Sequence, residues 1–349
     1  MAFPNESLSH PRIFGRWEHG RRNRPGSERE EISAPKNDAD IAVLNGVSKS
    51  FGGFRALDKV SFRVRRGEIF GYIGPNGAGK TTTIKILVGL IRDFEGTTSV
   101  GVSGAGTSSN RALGYLPQQA AFQEWRTVDN ALTTLGRLSG MSVQEVERRI
   151  PEVLDLLGIG DTRKRKIVHL SGGTIQKVGM AQAILHSPDF LVLDEPMAGL
   201  DPASRYQFKN VFRQLSREGT TILFSSHILS DVEDIANRIG IISRGMLIHE
   251  GTLEELREKL KVPKAVEIVL SKAAGRLIDL KGIQGVTGID RIDEGRMVVH
   301  LAPEADVDAS TDKMIRKILE EGANIRSIGP VSPNLEQLYV QFVTRGAYS

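Results

Sequence analysis

Residues 74–82 read Gly-Pro-Asn-Gly-Ala-Gly-Lys-Thr-Thr. Glycines at Gly74, Gly77 and Gly79 leave backbone N–H groups uncovered, and a loop of this type ahead of a helix holds phosphate groups. In the pattern Gly-x4-Gly-Lys-Thr, Lys80 reaches β- and γ-phosphates and the Thr81 hydroxyl coordinates Mg²⁺, while Pro75, Asn76, Ala78 and Thr82 complete the cradle. A second constellation is the apolar run Phe190–Leu193, which ends in two carboxylates, Asp194 and Glu195. The end of a buried strand in an α/β sheet faces the crevice where ligands bind. There Asp194 is placed to hold Mg²⁺ through its water shell, and Glu195 to orient or deprotonate an attacking water. A third is Ser171-Gly172-Gly173, directly ahead of a helical pattern. Exposed N–H groups and the helix dipole both favour negative charge, so this too is an anion cradle. One chain thus carries two.

These groups need a frame. "GEIFGYIG" leads into the first cradle and "KTTTIKILVGLI" leaves it with helical spacing, giving the strand–loop–helix context that a phosphate loop requires. "IAVLNGVSKSF" and "VSFRVRRGEIF" read as strands on either side of Gly52-Gly53. From 127 to 185 the patterns are helical, in "TVDNALTTLGRLSG", "VQEVERRIPEVLDLLG" and "TIQKVGMAQAILH". The buried strands "FLVLDE" and "TTILFSSH" then flank a helix at about 203–217. Alternation of buried strands and helices predicts an α/β core with a largely parallel sheet. The Gly- and Ser-rich segment 96–110 predicts a poorly fixed turn region with at most weak strands.

Residues 1–39 are polar and locally basic and read as a disordered tail. For "GRWEHGRRNRPG" two readings stand, a solvated tail or contact with anionic lipid or a partner. A break near 259–265 separates a second domain at 264–345. Its strands are "AVEIVL", "VTGIDRI" and "RMVVHLA", and its helix is "STDKMIRKILEEG", capped by Ser310 or Thr311 and stopped by Gly322. The 349 residues suffice for two domains, and a net charge of +4 does not argue for a nucleic-acid partner. With no cysteine there are no disulfides or thiolate metal sites. No stretch approaches the roughly 20 apolar residues of a membrane span.

From about 41 to 255 the chain resembles the ATP-binding subunits of ABC transporters. The resemblance rests on "SFGGF", "GPNGAGKTT", "LGYLPQ", "LSGGTIQK", "FLVLDEP", "AGLDP" and "SSHIL", in that order. It implies a P-loop NTPase core, RecA-like, with an antiparallel β subdomain and a helical signature subdomain at about 120–185, all within 40–258, plus the small C-terminal α+β domain. It implies an adenine platform at Phe51, a Mg²⁺- and water-sensing glutamine at Gln118, and the family signature at Ser171–Gly173. It also implies an interface loop at Asp201 that belongs to the nucleotide site, and a γ-phosphate contact at His227. Gln119 stands beside Gln118, and the register of the motif selects Gln118. Thr174-Ile175 departs from the family's usual signature.

The resemblance implies ATP and Mg²⁺ as cofactors and hydrolysis in which Lys80, Gln118, Glu195 and His227 take part. It implies a head-to-tail dimer with a second such subunit, a homodimer if the partner is the same chain. Each ATP then lies between one subunit's phosphate loop and the other's signature, which explains the two cradles. The ending "LEQLYVQFV" is similar to the extension on ABC-2-type exporters, whose ATPase is a separate polypeptide. A permease would then carry the membrane path and hold this chain at the cytoplasmic face of the cell membrane. Trp125 is read either as a contact for that partner or as a core residue. The competing class is an ABC ATPase uncoupled from transport, such as an iron–sulfur assembly ATPase.

Overall fold

The computed structural model describes residues 40–101, 113–260, 264–271, 278–293, 295–331 and 333–346. They fall into two compact units, one ending at Thr252 and the other starting at Leu253.

The first unit opens with a hairpin of β1 (Asp40–Phe51) and β2 (Phe54–Arg65), turned by Gly52 and Gly53, both at positive φ. β3 (Ile69–Ile73) leads to α1 (Lys80–Leu87), and β4 (Glu95–Val100) follows. β1, β2 and β4 form an antiparallel sheet in the order β2-β1-β4. Sequence predicted at most weak strands over 96–110, yet Glu95–Val100 is a strand of six residues paired with β1 from Ala42↔Val100 to Ser48↔Glu95. Its threonines and valine favour a pleated surface, and Gly96 permits the approach, since a Cβ there would lie 2.4 Å from the Gly46 carbonyl oxygen. Residues 102–110 lie outside the described residues.

β5 (Leu113–Leu116), β6 (Phe190–Leu193), β7 (Thr221–Ser226), β8 (Arg238–Ser243) and β9 (Met246–Gly251) join β3 in a six-stranded sheet ordered β5-β6-β7-β3-β8-β9. All neighbours are parallel except β9, which returns antiparallel to β8. Every residue of β3, β6 and β7 is buried. Near-continuous apolar runs are what strands covered on both faces require. The helices are α2 (Val128–Leu138), α3 (Val143–Leu156), α4 (Gly172–Ile184), α5 (Pro202–Arg217) and α6 (Leu229–Ile235). The start of α3 is fixed by a capping box, in which Ser142 Oγ accepts from Glu145 N at 3.2 Å and Glu145 Oε2 from Ser142 N at 2.7 Å.

One ionic network locks the edge of the main sheet. Arg238 of β8, 8 % exposed, donates to Glu68 Oε1 at 3.1 Å and to Glu250 Oε1 at 2.6 Å. Burial raises the Glu68 carboxyl above its ordinary pKa despite these partners. Removing the guanidinium leaves Glu68 and Glu250 to backbone donors, Arg65 N at 2.8 Å and Arg63 N at 3.2 Å. Arg238→Ala is expected to cost about 3–5 kcal/mol, the range for breaking a buried pair. Urea unfolding checks this, and an unchanged midpoint would deny the network a stabilising role.

The second unit holds α7 (Leu253–Lys259) and four antiparallel strands, β10 (Lys264–Leu270), β11 (Val286–Arg291), β12 (Arg296–Leu301) and β13 (Ile325–Val331), ordered β11-β12-β10-β13. α8 (Val307–Glu320) covers the apolar face, with Met314 and Ile318 packed among Val266, Ile268 and Val299. α9 (Leu335–Gly346) closes the described chain. The cap of α8 is Asp306, which accepts from the Asp308 and Ala309 amides, and not Ser310 or Thr311. The apolar period begins at Val307, one turn earlier than predicted, so Ser310 lies buried inside the helix. Gly322, at φ 78°, does follow its end. β13 was not legible, because Gly329 and Pro330 argue against a strand. Pro is tolerated here since β13 lies at the edge of its sheet.

Candidate active site

The first cradle spans the turn from β3 into α1. Gly79 caps α1 at φ 111°, and a Cβ there would meet Leu57 Cδ2 at 2.6 Å and the Ala56 carbonyl oxygen at 2.8 Å. β2 therefore presses against the loop and leaves room for glycine alone. The turn between β8 and β9 pins the loop from another side, with Gly245 N donating to Ala78 O at 3.0 Å. Lys80 opens α1 and is only 6 % exposed. Its Nζ donates to Gly74 O at 2.7 Å and Pro75 O at 3.3 Å, and pairs with Glu195 Oε1 at 3.2 Å. Thr81 and Thr82 follow on the same turn, where helix N–H groups and dipole favour an anion.

Strand register brings the acids to the same place. β6 and β7 run parallel with Leu193 opposite Phe224, so Asp194 and Ser225 lie side by side, one residue further on. Asp194 N donates to Leu116 O at 2.9 Å, tying it also to the end of β5. The Asp194 side chain is fully buried. Its Oδ1 accepts from Ser225 Oγ at 2.8 Å, while Oδ2 has no hydrogen-bond partner. Burial raises its pKa, and the Ser225 and Thr81 hydroxyls offset part of that. An unpartnered buried carboxylate oxygen beside a threonine hydroxyl is a donor set suited to a hard cation such as Mg²⁺. The neighbouring Tyr115 phenol is pushed up to about 12, first by its own burial and then by the Asp194 charge.

Glu195 sits at φ 50°, a left-handed conformation that costs a side-chain-bearing residue on the order of 1–3 kcal/mol. The amide of Glu195 donates to Ser225 Oγ at 2.9 Å. The carboxylate lies between Lys80 Nζ, at Oε1, and the His227 imidazole, whose Nδ1 is 2.8 Å from Oε2. His227 is 44 % exposed and follows β7 directly. Lys80, the adjacent pair Asp194-Glu195 and His227, far apart in sequence, thus meet at the C-terminal ends of β3, β6 and β7. Ser225 was missed by the sequence reading; the available signal was a serine pair, Ser225-Ser226, closing the buried apolar run Ile222–Phe224.

The raised Asp194 pKa has a consequence for stability. A carboxyl whose folded pKa exceeds its unfolded value carries no penalty well below the unfolded pKa and the full penalty above the folded one. Asp194→Asn is therefore expected to raise the Tm of the nucleotide-free protein at neutral pH, and the gain should shrink as acid protonates Asp194 in the parent. Thermal unfolding at several pH values checks this; a lower Tm at pH 7 would contradict it.

The second cradle lies at the start of α4. Ser171 caps the helix, accepting from Thr174 N at 3.2 Å. Gly172 would admit a Cβ with nothing within 4 Å, and Gly173 with only Leu200 Cδ2 at 3.5 Å, so the turn is uncovered at both glycines. Thr174, the departure from the usual signature, is absorbed by this cap, its Oγ1 lying 2.8 Å from Ser171 Oγ. Gln176 Nε2 donates to Pro196 O at 3.2 Å and ties the helix to the residue after Glu195.

Phe51 stands at the tip of the first hairpin, 47 % exposed, with Lys49 Nζ 5.0 Å from its ring centroid. Lys49 pairs in register with Leu57, the residue against Gly79, so Phe51 lies two residues along β1 from the position opposite Leu57. Gln118 is exposed, as is Gln119, two residues past the end of β5 next to Asp194. Asp201 is exposed and caps α5, with Oδ1 accepting from Ser204 N at 3.0 Å and Oδ2 from Ser204 Oγ at 2.7 Å. These bonds hold its carboxyl below the usual range, the Ser204 hydroxyl most of all. Trp125 is 69 % exposed and so is not a core residue. No described helix is long and apolar enough to cross a membrane.

Comparison with known proteins identifies the family. The family described as ABC transporter matches residues 57–198. An ABC transporter ATP-binding protein of Bacillus subtilis, YxlF, is 32% identical over 300 residues, covering 86% of this chain and 98% of that one. The linearmycin resistance ATP-binding protein LnrL of the same organism is 30% identical, covering 86% and 97%. The daunorubicin/doxorubicin resistance ATP-binding protein DrrA of Streptomyces peucetius is 38% identical, covering 62% and 66%. A solved ATP-binding subunit of an ABC transporter superposes with a TM-score of 0.58 at 29% identity, over 64% of this chain and 94% of that one. An ATP-binding cassette in its ADP conformation superposes with a TM-score of 0.52 at 27% identity, over 62% and 92%. With a phosphate loop, an acidic strand end and a relative matched along nearly its whole length, the chain belongs to the ATP-binding proteins of ABC transporters, a family of nucleotide-binding ATPases.

Proposed function

We propose that this chain is the ATP-hydrolysing subunit of a membrane exporter, and that two copies close head to tail around two ATP molecules. The observation that carries this reading is the grip on Glu195, held by Lys80 at 3.2 Å and His227 at 2.8 Å beside the buried Asp194. ATP enters with its phosphates on the Gly74–Thr82 loop and its adenine on Phe51. Lys80 exchanges Glu195 for β- and γ-phosphate oxygens. Glu195, released on that side and still steadied by His227, orients the attacking water and draws its proton. Thr81, Asp194 and Gln118 would hold Mg²⁺, which supplies charge neutralisation on the phosphates. His227 and the amides of a partner's Ser171–Gly173 stabilise the charge developing on the γ-phosphoryl group. Asp201 lies in the loop facing that partner.

The open turn at Gly172–Gly173 supports a site completed from outside the chain. Relatives named for resistance to linearmycin and daunorubicin support export as the direction of transport. In this reading residues 40–258 form the motor and 264–345 an accessory domain. A separate permease carries the substrate and holds the chain at the cytoplasmic face of the membrane. The exposed Trp125 and the surface around Gln118 are its docking site. The test is purification of the tagged chain from detergent-solubilised membranes of its own cell. A stoichiometric multi-span protein that changes the ATP hydrolysis rate is the expected result; a chain recovered alone from every fraction, with an unaltered rate, sets the exporter reading aside.

A further inference from the structure

We infer that Ser225 is the positioning residue for both acids, its single hydroxyl fixing which oxygen of Asp194 is free for the cation and anchoring the backbone from which Glu195 reaches its partners. This rests on the reading of Asp194 as cation holder and Glu195 as the water-activating group. Ser225 is fully buried near the end of β7, where Ile222, Leu223 and Phe224 ahead of it are apolar. A serine hydroxyl has one proton to give and lone pairs to accept with. Here the proton goes to Asp194 Oδ1 at 2.8 Å, and a lone pair takes the Glu195 amide at 2.9 Å. The first bond occupies Oδ1 and leaves Oδ2 as the unpartnered oxygen. The second ties down the residue at φ 50° whose carboxylate joins Lys80 to His227. His227 follows Ser225 by two residues on the same strand end, so one strand holds Glu195 by its amide and by its carboxylate. Parallel register makes this possible, because Phe224 stands opposite Leu193.

The test compares Ser225→Ala with Ser225→Thr, which keeps the hydroxyl. A hydrogen bond to a charged group, once lost, weakens what depends on it on the order of tenfold to a hundredfold. Ser225→Ala is expected to lower kcat by that factor and to weaken Mn²⁺ binding, followed by electron paramagnetic resonance in the presence of ADP, about tenfold. Affinity for a fluorescent ATP analogue in EDTA, where Asp194 has no cation to hold, should stay within about twofold of the parent. Ser225→Thr should retain Mn²⁺ affinity. Parental kcat and parental Mn²⁺ affinity in Ser225→Ala overturn the inference. So does an equal loss of nucleotide affinity in EDTA, which marks general structural support, and so does a threonine variant as impaired as alanine. Glu195→Gln serves as control. If it hydrolyses ATP at the parental rate, the site reading itself falls; if it is inactive while Ser225→Ala is unimpaired, only the role of Ser225 falls.

Discussion

Glu195→Gln is expected to slow ATP hydrolysis by about 10²–10⁴-fold, the range for loss of a general base, while ATP binding survives. The substitution is nearly isosteric and keeps a side chain that His227 can hydrogen-bond. It removes the negative charge that pairs with Lys80 in the nucleotide-free state, 3.2 Å away with both groups 6 % exposed. Lys80 then has no carboxylate to leave when phosphate arrives, so nucleotide affinity should hold or rise. With turnover blocked, the closed dimer should accumulate in MgATP, which sedimentation velocity resolves from the monomer. Phosphate release gives the rate. A variant that turns over like its parent, or that stays monomeric at saturating MgATP, would remove Glu195 from the chemistry or the sandwich from the mechanism respectively.

The second large effect is rescue by mixing. Lys80→Ala removes the cation that grips the nucleotide. Gly173→Asp puts a negative charge where the γ-phosphate of a neighbour's ATP would rest. An acidic residue in the first turn of α4 favours the helix, and space exists, with only Leu200 Cδ2 near, at 3.5 Å. Each protein alone should fold and be inactive. In a mixed dimer one of the two sites combines an intact phosphate loop with an intact signature. Random pairing makes half the dimers mixed, so activity should return to about a quarter of the parental level per site. A mixture as inactive as its parts excludes assembly across two chains. Recovery well below a quarter points to sites that act together.

Much of the site was legible because it is local chemistry. Gly74–Thr82 states its own loop, since glycine spacing and the following lysine and threonine carry their meaning over nine residues. The acids of "FLVLDE" are legible for a related reason, as a strand apolar on both faces has to end where the sheet opens. The edge of the antiparallel sheet was not legible. Glu95–Val100 has a composition that reads as a turn, and it becomes a strand because β1 offers it a ladder and Gly46 lets Gly96 come close. β13 escaped for a similar reason, its Gly329 and Pro330 being tolerated only on an edge. The cap of α8 was placed one turn late because Ser310 looks like a cap and is instead buried within the helix.

The sequence by itself determined which groups are present and what each turn can hold: two anion cradles, a pair of acids, a histidine after a buried strand. Only the tertiary structure decided which of them touch. Lys80, Glu195 and His227 are separated by more than a hundred residues in one case and by some thirty in the other, and parallel register alone brings the ends of β3, β6 and β7 into one line. Ser225 shows the physical reason. A hydroxyl in a buried strand has no meaning until the neighbouring strand supplies an acceptor and a donor for it, and those come from residues that local pattern cannot see.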